Sequence, residues 1–222
     1  MERKITVKGI GHISAKPDYV IINMTVDATS RKYEQAVKEA SEKIDRLSAS
    51  LSSVGFEKDA LKTADFRTDI ARSFKKNLKC ISEMVNTGFI CTNRMKLEFD
   101  FDSERLSKAI DAITNCVSDP RLNITFTVKD EEAVKDELLK SAGANAKRRA
   151  KILCEAAGGK LGDLISVDYN WNEISIMSQT RVGRSLGDTA ELGECVPLSA
   201  PQFIQPEDID LSDNAVFVWE IV

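Results

Sequence analysis

A change of apolar spacing within the first 55 residues restricts the possible folds more than any other feature. Val20, Ile22, Met24 and Val26 fall at every second position, which places four apolar side chains on one face of a strand. From Tyr33 the spacing lengthens to three and four residues, through Val37, Ala40, Ile44, Leu47, Leu51 and Val54. That is the pattern of an amphipathic helix, with Ser30 as its N-cap and Gly55 as its stop at the C′ position. A one-faced strand that feeds a one-faced helix buries both faces only in a layered structure of sheet and helix.

The same alternation continues along the chain. Ile5 to Val7 opens as a strand and runs into Gly9-Ile10-Gly11, with a turn at Pro17-Asp18. Leu61 to Ile70 alternates loosely, and Phe89, Cys91, Met95, Leu97, Phe99 and Phe101 alternate over a long span. Between them, residues 72–84 are polar and basic (Arg72, Lys75, Lys76, Lys79), as in a hairpin tip. Asp102 or Ser103 caps a second helix carrying Leu106, Ala109, Ile110, Ile113 and Val117, and Asp119-Pro120 ends it. Leu122, Ile124, Phe126 and Val128 form the cleanest period-two strand. A third helix runs from near Asp130 to Gly158-Gly159 on a stripe of small residues: Val134, Leu138, Ala142, Ala146, Ala150, Leu153 and Ala157. Such a stripe lets the helix sit close to the sheet or to a neighbouring subunit. Ile165, Val167, Tyr169 and Trp171 suggest a further strand. Residues 172–213 lack periodicity and form an irregular insertion that is functional, disordered or ordered by a partner chain. The last strand, Ala215 to Val222, is apolar on both faces and belongs at a sheet centre or under cover on both sides.

The element order is therefore β-β-α-β-β-α-β-α-β-(irregular)-β. It predicts an α+β fold in which largely antiparallel sheet layers pack against three helices. Residues 1–222 read as a single domain, with two subdomains, about 1–130 and 131–222, as the finer division.

Composition narrows the function classes. The chain is 42% hydrophobic and 30% charged, with a net charge of −4, so no global field draws it to nucleic acid or anionic membrane. Its apolar runs fall far short of the ~20 residues that cross a bilayer. Lys4, Lys8, His12 and Lys16 interrupt any secretory core near the start, which predicts a soluble cytoplasmic protein. Cys80, Cys91, Cys116, Cys154 and Cys195 are scattered, odd in number and without a C-x-x-C pair, and read as reduced, mostly buried thiols.

The motifs that would carry chemistry are incomplete. Gly9-Ile10-Gly11 has Ser14 at the third glycine position and Pro17-Asp18 in place of a helix, so the dinucleotide-loop reading fails and a strand-end bend or bulge replaces it. No phosphate-binding G-x-x-x-x-G-K-[ST] run is present. His12 is the sole histidine. A hydrolytic arrangement would need it beside Cys80, Cys91 or a serine, and no G-x-S-x-G elbow supports that. Lys147-Arg148-Arg149 with Lys151 reads as a solvated helix face paired with Glu155 or Asp136, and Lys75, Lys76 and Lys79 as a soluble hairpin tip. Asp100 with Asp102, Glu131 with Glu132, and the stretch from Asp208 to Asp213 lack the spacing of a metal or acid–base site. No catalytic, cofactor-binding or metal residue is assigned, and no cofactor is expected.

Five pieces in order resemble the SIMPL-domain family. They are Ile5-Thr6-Val7-Lys8-Gly9-Ile10-Gly11 with Pro17-Asp18; Gly55 with Leu61-Lys62-Thr63; and Gly88-Phe89 with Asn93, Met95 and Leu97. The alanine helix with Arg149, Leu153, Ala156, Gly158 and Leu161-Gly162 follows, then Pro206, Ile209 and Val216 to Ile221. Glu207 stands where a glycine often follows the proline. The resemblance implies a two-layer α+β protein that assembles into ring- or channel-like homo-oligomers, in a family that includes a periplasmic immunogenic protein and stress-defence proteins. It brings no catalytic residues. The leading expectation is thus a non-catalytic, self-assembling scaffold or binding protein, without nucleic-acid partner or membrane insertion. The alternative is a hydrolase-like enzyme with its site near the 172–213 loop.

Overall fold

A computed structural model describes residues 3–76, 82–116, 121–169, 174–180, 182–183 and 204–222. The elements are β1 (Lys4–Ala15), β2 (Tyr19–Ser30), α1 (Tyr33–Ser53), β3 (Leu61–Lys76), β4 (Ser82–Asp100), α2 (Ser103–Cys116), β5 (Arg121–Thr127), α3 (Glu131–Ala156), β6 (Leu161–Asp168), β7 (Val182–Gly183) and β8 (Ile209–Ile221). The α+β class and the element order match the sequence reading, with the two-residue β7 added. The chain forms two compact units. One holds residues 1–18, 127–179 and 206–222; the other holds 19–126 and 180–205.

In the 19–126 unit a five-stranded sheet has the order β3-β4-β2-β5-β7. The alternating set Val20, Ile22, Met24 and Val26 faces inward together with Met95 and Leu97, all at most 1% exposed. Leu47 and Leu51 of α1 and Leu106, Ile110 and Ile113 of α2 close over that face. Burying side chains of this size contributes about 1.5–3 kcal/mol each relative to exposure. Phe56 and Phe99 meet edge to face at 5.1 Å, and the Arg105 guanidinium sits 4.6 Å from the Phe56 ring centre. Asp102 caps α2 as the sequence suggested, its Oδ1 accepting from the Arg105 N–H at 2.7 Å. Gly55 follows the α1 C-cap Val54 with φ of 97°, a conformation that glycine adopts without Cβ strain.

In the other unit β8 lies between β1 and β6, both antiparallel to it. The central place suits its two-sided apolar pattern. Helix α3 lies against β1 and β8. A Cβ on Gly9 would stand 2.3 Å from the Ala142 carbonyl oxygen and 2.7 Å from Ala146 Cβ; one on Gly11 would stand 2.3 Å from the Leu138 carbonyl oxygen. The alanine stripe and the two glycines are therefore one packing device, a helix seated directly on a strand. Trp219 and Phe217 stack at 5.4 Å beside Val7, Ala146 and Ala150.

Several expectations about boundaries are corrected. Gly9 and Gly11 are not a strand-end bend: β1 runs straight through them to Ala15, paired residue by residue with β8. Ser30 does not cap α1. It ends β2 opposite Phe89, and Lys32 takes the N-cap place without a side-chain bond. Residues 72–76 and 82–84 belong to β3 and β4, so the hairpin tip is shorter than 72–84, and residues 77–81 lie outside the described set. The closing strand begins at Ile209, six residues before Ala215, because Ile209 to Asp213 continue the ladder against Ala15 to Gly11. That removes 209–213 from the irregular 172–213 segment. Of the rest, 174–180, 182–183 and 204–208 are described, with β7 the regular piece among them. Residues 172–173, 181 and 184–203, and Trp171 before them, lie outside the described residues.

Candidate interaction surfaces

The β3–β4 ribbon leaves apolar side chains uncovered: Phe66, Ile70 and Met84 are each about half exposed. β2 is 12 residues long and ends at the Ser30–Phe89 pair, whereas β4 has 19 residues and β3 has 16. Beyond the Ser30–Phe89 pair the two long strands pair, among the described residues, only with each other. Gly88 marks the departure: its φ is 152°, and a Cβ there would lie 2.3 Å from the Ser30 carbonyl oxygen. Cα partners share a face, so Phe66 opposite Asn93 and Ile70 opposite Phe89 lie on the face that α1 and α2 cover farther in. Yet Phe66 is 50% exposed and Ile70 48%, because the helices stop at β4. Tyr33, 52% exposed, meets Phe89 edge to face at 5.9 Å and extends the strip. An open cleft of about 540 Å3 sits at the junction, lined by Arg31, Ile70, Val85, Asn86, Gly88 and Phe89.

The opposite face of the same sheet is polar. Asp65 pairs with Arg67 at 2.8 Å and Arg94 at 3.9 Å, Lys96 pairs with Glu98 at 2.5 Å, and Asp27 accepts from Thr92 at 2.7 Å and from Arg121. Such exposed pairs contribute about 0–1 kcal/mol each and keep that face in water. The β3–β4 ladder also has two register shifts, at Ala64 of β3 and at Thr87 of β4. Bulges and charges blunt the outer edge of β3 against open-ended strand pairing. The apolar strip lies on the other face, away from these charges.

Among the described residues, those singled out for chemistry do not gather into one site. His12 is exposed on β1, and among the described residues Ser141 engages its backbone N–H and carbonyl. Cys91 is fully buried, with Thr68 Oγ1 at 4.0 Å and Asn93 Nδ2 at 3.9 Å from its sulfur. Asn93 is 1% exposed, and its Oδ1 has no partner among the described residues. Cys154 is buried in α3 and Cys116 is half-buried, both as free thiols; Cys80 and Cys195 lie outside the described residues. Lys151 reaches Glu155 at 3.9 Å, while Arg149 donates to the Lys8 carbonyl at 3.4 Å. Glu132 binds Lys135 at 2.9 Å in the first turn of α3. Asp100 ends β4. The side chains of Lys75, Lys76 and Lys79 are outside the described set. Among the described residues no three carboxylate, thiol or imidazole groups gather as metal ligands, and no helix is long and apolar enough to cross a membrane.

One polar pair escaped the sequence reading. Tyr169 donates its phenol proton to Asp213 Oδ2 at 2.7 Å, and Asp213 is only 8% exposed. The hydrogen bond to the carboxylate, then burial, then its negative charge push the phenol above its ordinary pKa of 10.0. The two residues are 44 positions apart, so no local pattern announces the pair.

The family described as SIMPL, a protein of unknown function (DUF541), matches residues 5–219. The chain belongs to the SIMPL family. It is also similar to the 26 kDa periplasmic immunogenic proteins of Brucella melitensis biotype 1 and Brucella abortus strain S19, each 23% identical over 164 residues. That region is 74% of this chain and 65% of each relative, so the chain matches just under two thirds of their length. In this SIMPL chain the residues that carry the resemblance do structural work. Gly9 and Gly11 admit α3, Gly88 lets β4 leave β2, and Asn93 is buried beneath the sheet.

Proposed function

We propose that this SIMPL chain is a non-catalytic binding protein that assembles with copies of itself through the apolar strip on the β3–β4 ribbon. The observation that carries the reading is the exposure of Phe66, Ile70 and Tyr33 on the face whose other half is core. Burying the three in a contact removes a connected apolar area from water, at roughly 25 cal/mol per Å2. Two copies meeting strip to strip form an isologous pair, and a ring-like assembly, as the family resemblance implies, adds a second contact. A hydrolase-like reading finds no support in the placement of His12 and Cys91, which belong to different units. Cytoplasmic residence stays part of the proposal. The singly buried thiols of Cys91 and Cys154 favour it, while the name of the Brucella relatives points to the periplasm.

Size-exclusion chromatography with light scattering tests the reading. At micromolar concentration the chain should run at a multiple of 24.6 kDa, and the Phe66→Ser/Ile70→Ser variant at a single 24.6 kDa with an unchanged melting temperature. A strictly monomeric wild type refutes the proposal.

A further inference from the structure

Helix α3 covers the free edge of β1 for part of its length and leaves the remainder open. β1 pairs with β8 on one side, and its even-numbered residues turn their backbone groups to the other. Three α3 side chains spaced four apart meet those groups. Ser141 bonds both the N–H and the carbonyl of His12 at 3.2 Å, Asn145 Oδ1 accepts from the Ile10 N–H at 3.2 Å, and Arg149 donates to the Lys8 carbonyl at 3.4 Å. Four helical residues advance about 6 Å and two strand residues about 6.6 Å, so the two ladders keep step over three rungs. The fourth rung brings Leu153 towards Thr6, and leucine offers no hydrogen bond. Thr6 keeps its outward N–H and carbonyl, and Lys8 its N–H, without partners among the described residues.

A groove of about 480 Å3 opens at that point, between the strand edge and the helix. Its wall is apolar, with Ile152 58% and Leu153 53% exposed beside Val7. Its rim is cationic. Lys8 and Arg149 line it, and no carboxylate does; Lys151, two residues along α3, is paired with Glu155 at 3.9 Å.

We infer that this groove takes an extended acidic peptide segment of a partner protein, added as a short strand to β1 at Thr6 and Lys8. Unpaired edge amides supply the backbone ladder, Ile152 and Leu153 receive an alternate apolar side chain, and the basic rim selects carboxylates on either side of it. A basic segment meets like charge there. The site lies on β1 and α3, so it stands or falls separately from association through β3 and β4.

The test uses the full 15N-labelled chain and two synthetic peptides, Ac-Asp-Val-Glu-Val-Asp-Val-Glu-amide and its counterpart with lysine at every acidic position. The acidic peptide should shift the Thr6 and Lys8 amide signals and slow their hydrogen exchange at least tenfold at saturation. The Ile10 and His12 amides, already bonded to α3, should stay as they were. Leu153→Asp, a change at an exposed position, should weaken binding at least tenfold without altering the melting temperature. Equal binding of the two peptides, no shift at Thr6 and Lys8 up to millimolar peptide, or retention of full affinity by Leu153→Asp each overturns the proposal. Protection of the same two amides that grows with protein concentration alone also overturns it, since the occupant is then a second copy.

Discussion

Gly9 illustrates how a missing side chain can matter as much as a present one. Placing a valine there sets carbon against the Ala142 carbonyl and Ala146 Cβ at distances no packed pair tolerates, so α3 or β1 must shift. Gly9→Val should cost about 1–3 kcal/mol or more, read as a lower denaturation midpoint. Gly143 on the same helix is the control: a Cβ there meets only the Phe217 ring at 3.8 Å, and Gly143→Ala should stabilise by about 0.8–1 kcal/mol through helix propensity. The sequence contains both glycines and the alanine stripe, but strand and helix lie more than 120 residues apart, and local spacing cannot say that they face each other. That is why a bend was the natural reading of Gly9 and Gly11. Tyr169 is similar, since its partner Asp213 is distant in sequence. Its pKa is raised in the folded chain, so the neutral phenol contributes stability that is present in full below pH 10 and lost as pH rises through the higher folded value. Tyr169→Phe should therefore remove one partly solvent-screened hydrogen bond, lower stability at neutral pH by about 0.5–1 kcal/mol, and flatten the decline above pH 10. An unchanged alkaline limb in urea melts would deny the pair that role.

At the scale of elements, strands and helices were legible wherever one face alone is buried. Val20 to Val26 and Leu47 to Leu51 show their periods because the core sits on one side of them. Ends were less legible. β3 and β4 run on into the basic stretch 72–84 because backbone pairing there does not need an apolar side chain, and β8 starts early because Ile209 to Asp213 find partners in β1. In sequence Arg149 reads with Lys147, Arg148 and Lys151 as a solvated helix face, and Ser141 and Asn145 draw no reading at all. In fact the stripe Ser141, Asn145 and Arg149 satisfies the open edge of β1, a role invisible until the strand is in place. Asn145→Ala should cost about 0.5–1.5 kcal/mol and speed exchange of the Ile10 amide selectively. Equal exchange in both proteins would mean that the helix does not guard that edge.

For the whole molecule, the SIMPL family assignment and the fold agree, and the assembly is where function is proposed to lie. The resemblance was readable in sequence because it rests on glycines and alanines whose spacing the fold demands. The apolar strip was not readable. Phe66 and Ile70 show the same alternation as buried residues, and only the extent of α1 and α2 reveals that they stay half exposed. A contact of this kind should resist salt, unlike one built from the charged pairs on the opposite face. Sedimentation equilibrium of the wild type and of Phe66→Ser/Ile70→Ser, each in 0.1 M and 0.5 M sodium chloride (about 10 Å and 4 Å of screening length), tests this most directly. The expected result is a wild-type mass at a fixed multiple of 24.6 kDa in both salts and a variant mass of 24.6 kDa in both. A monomeric wild type, or a variant that associates as strongly as the wild type, contradicts it.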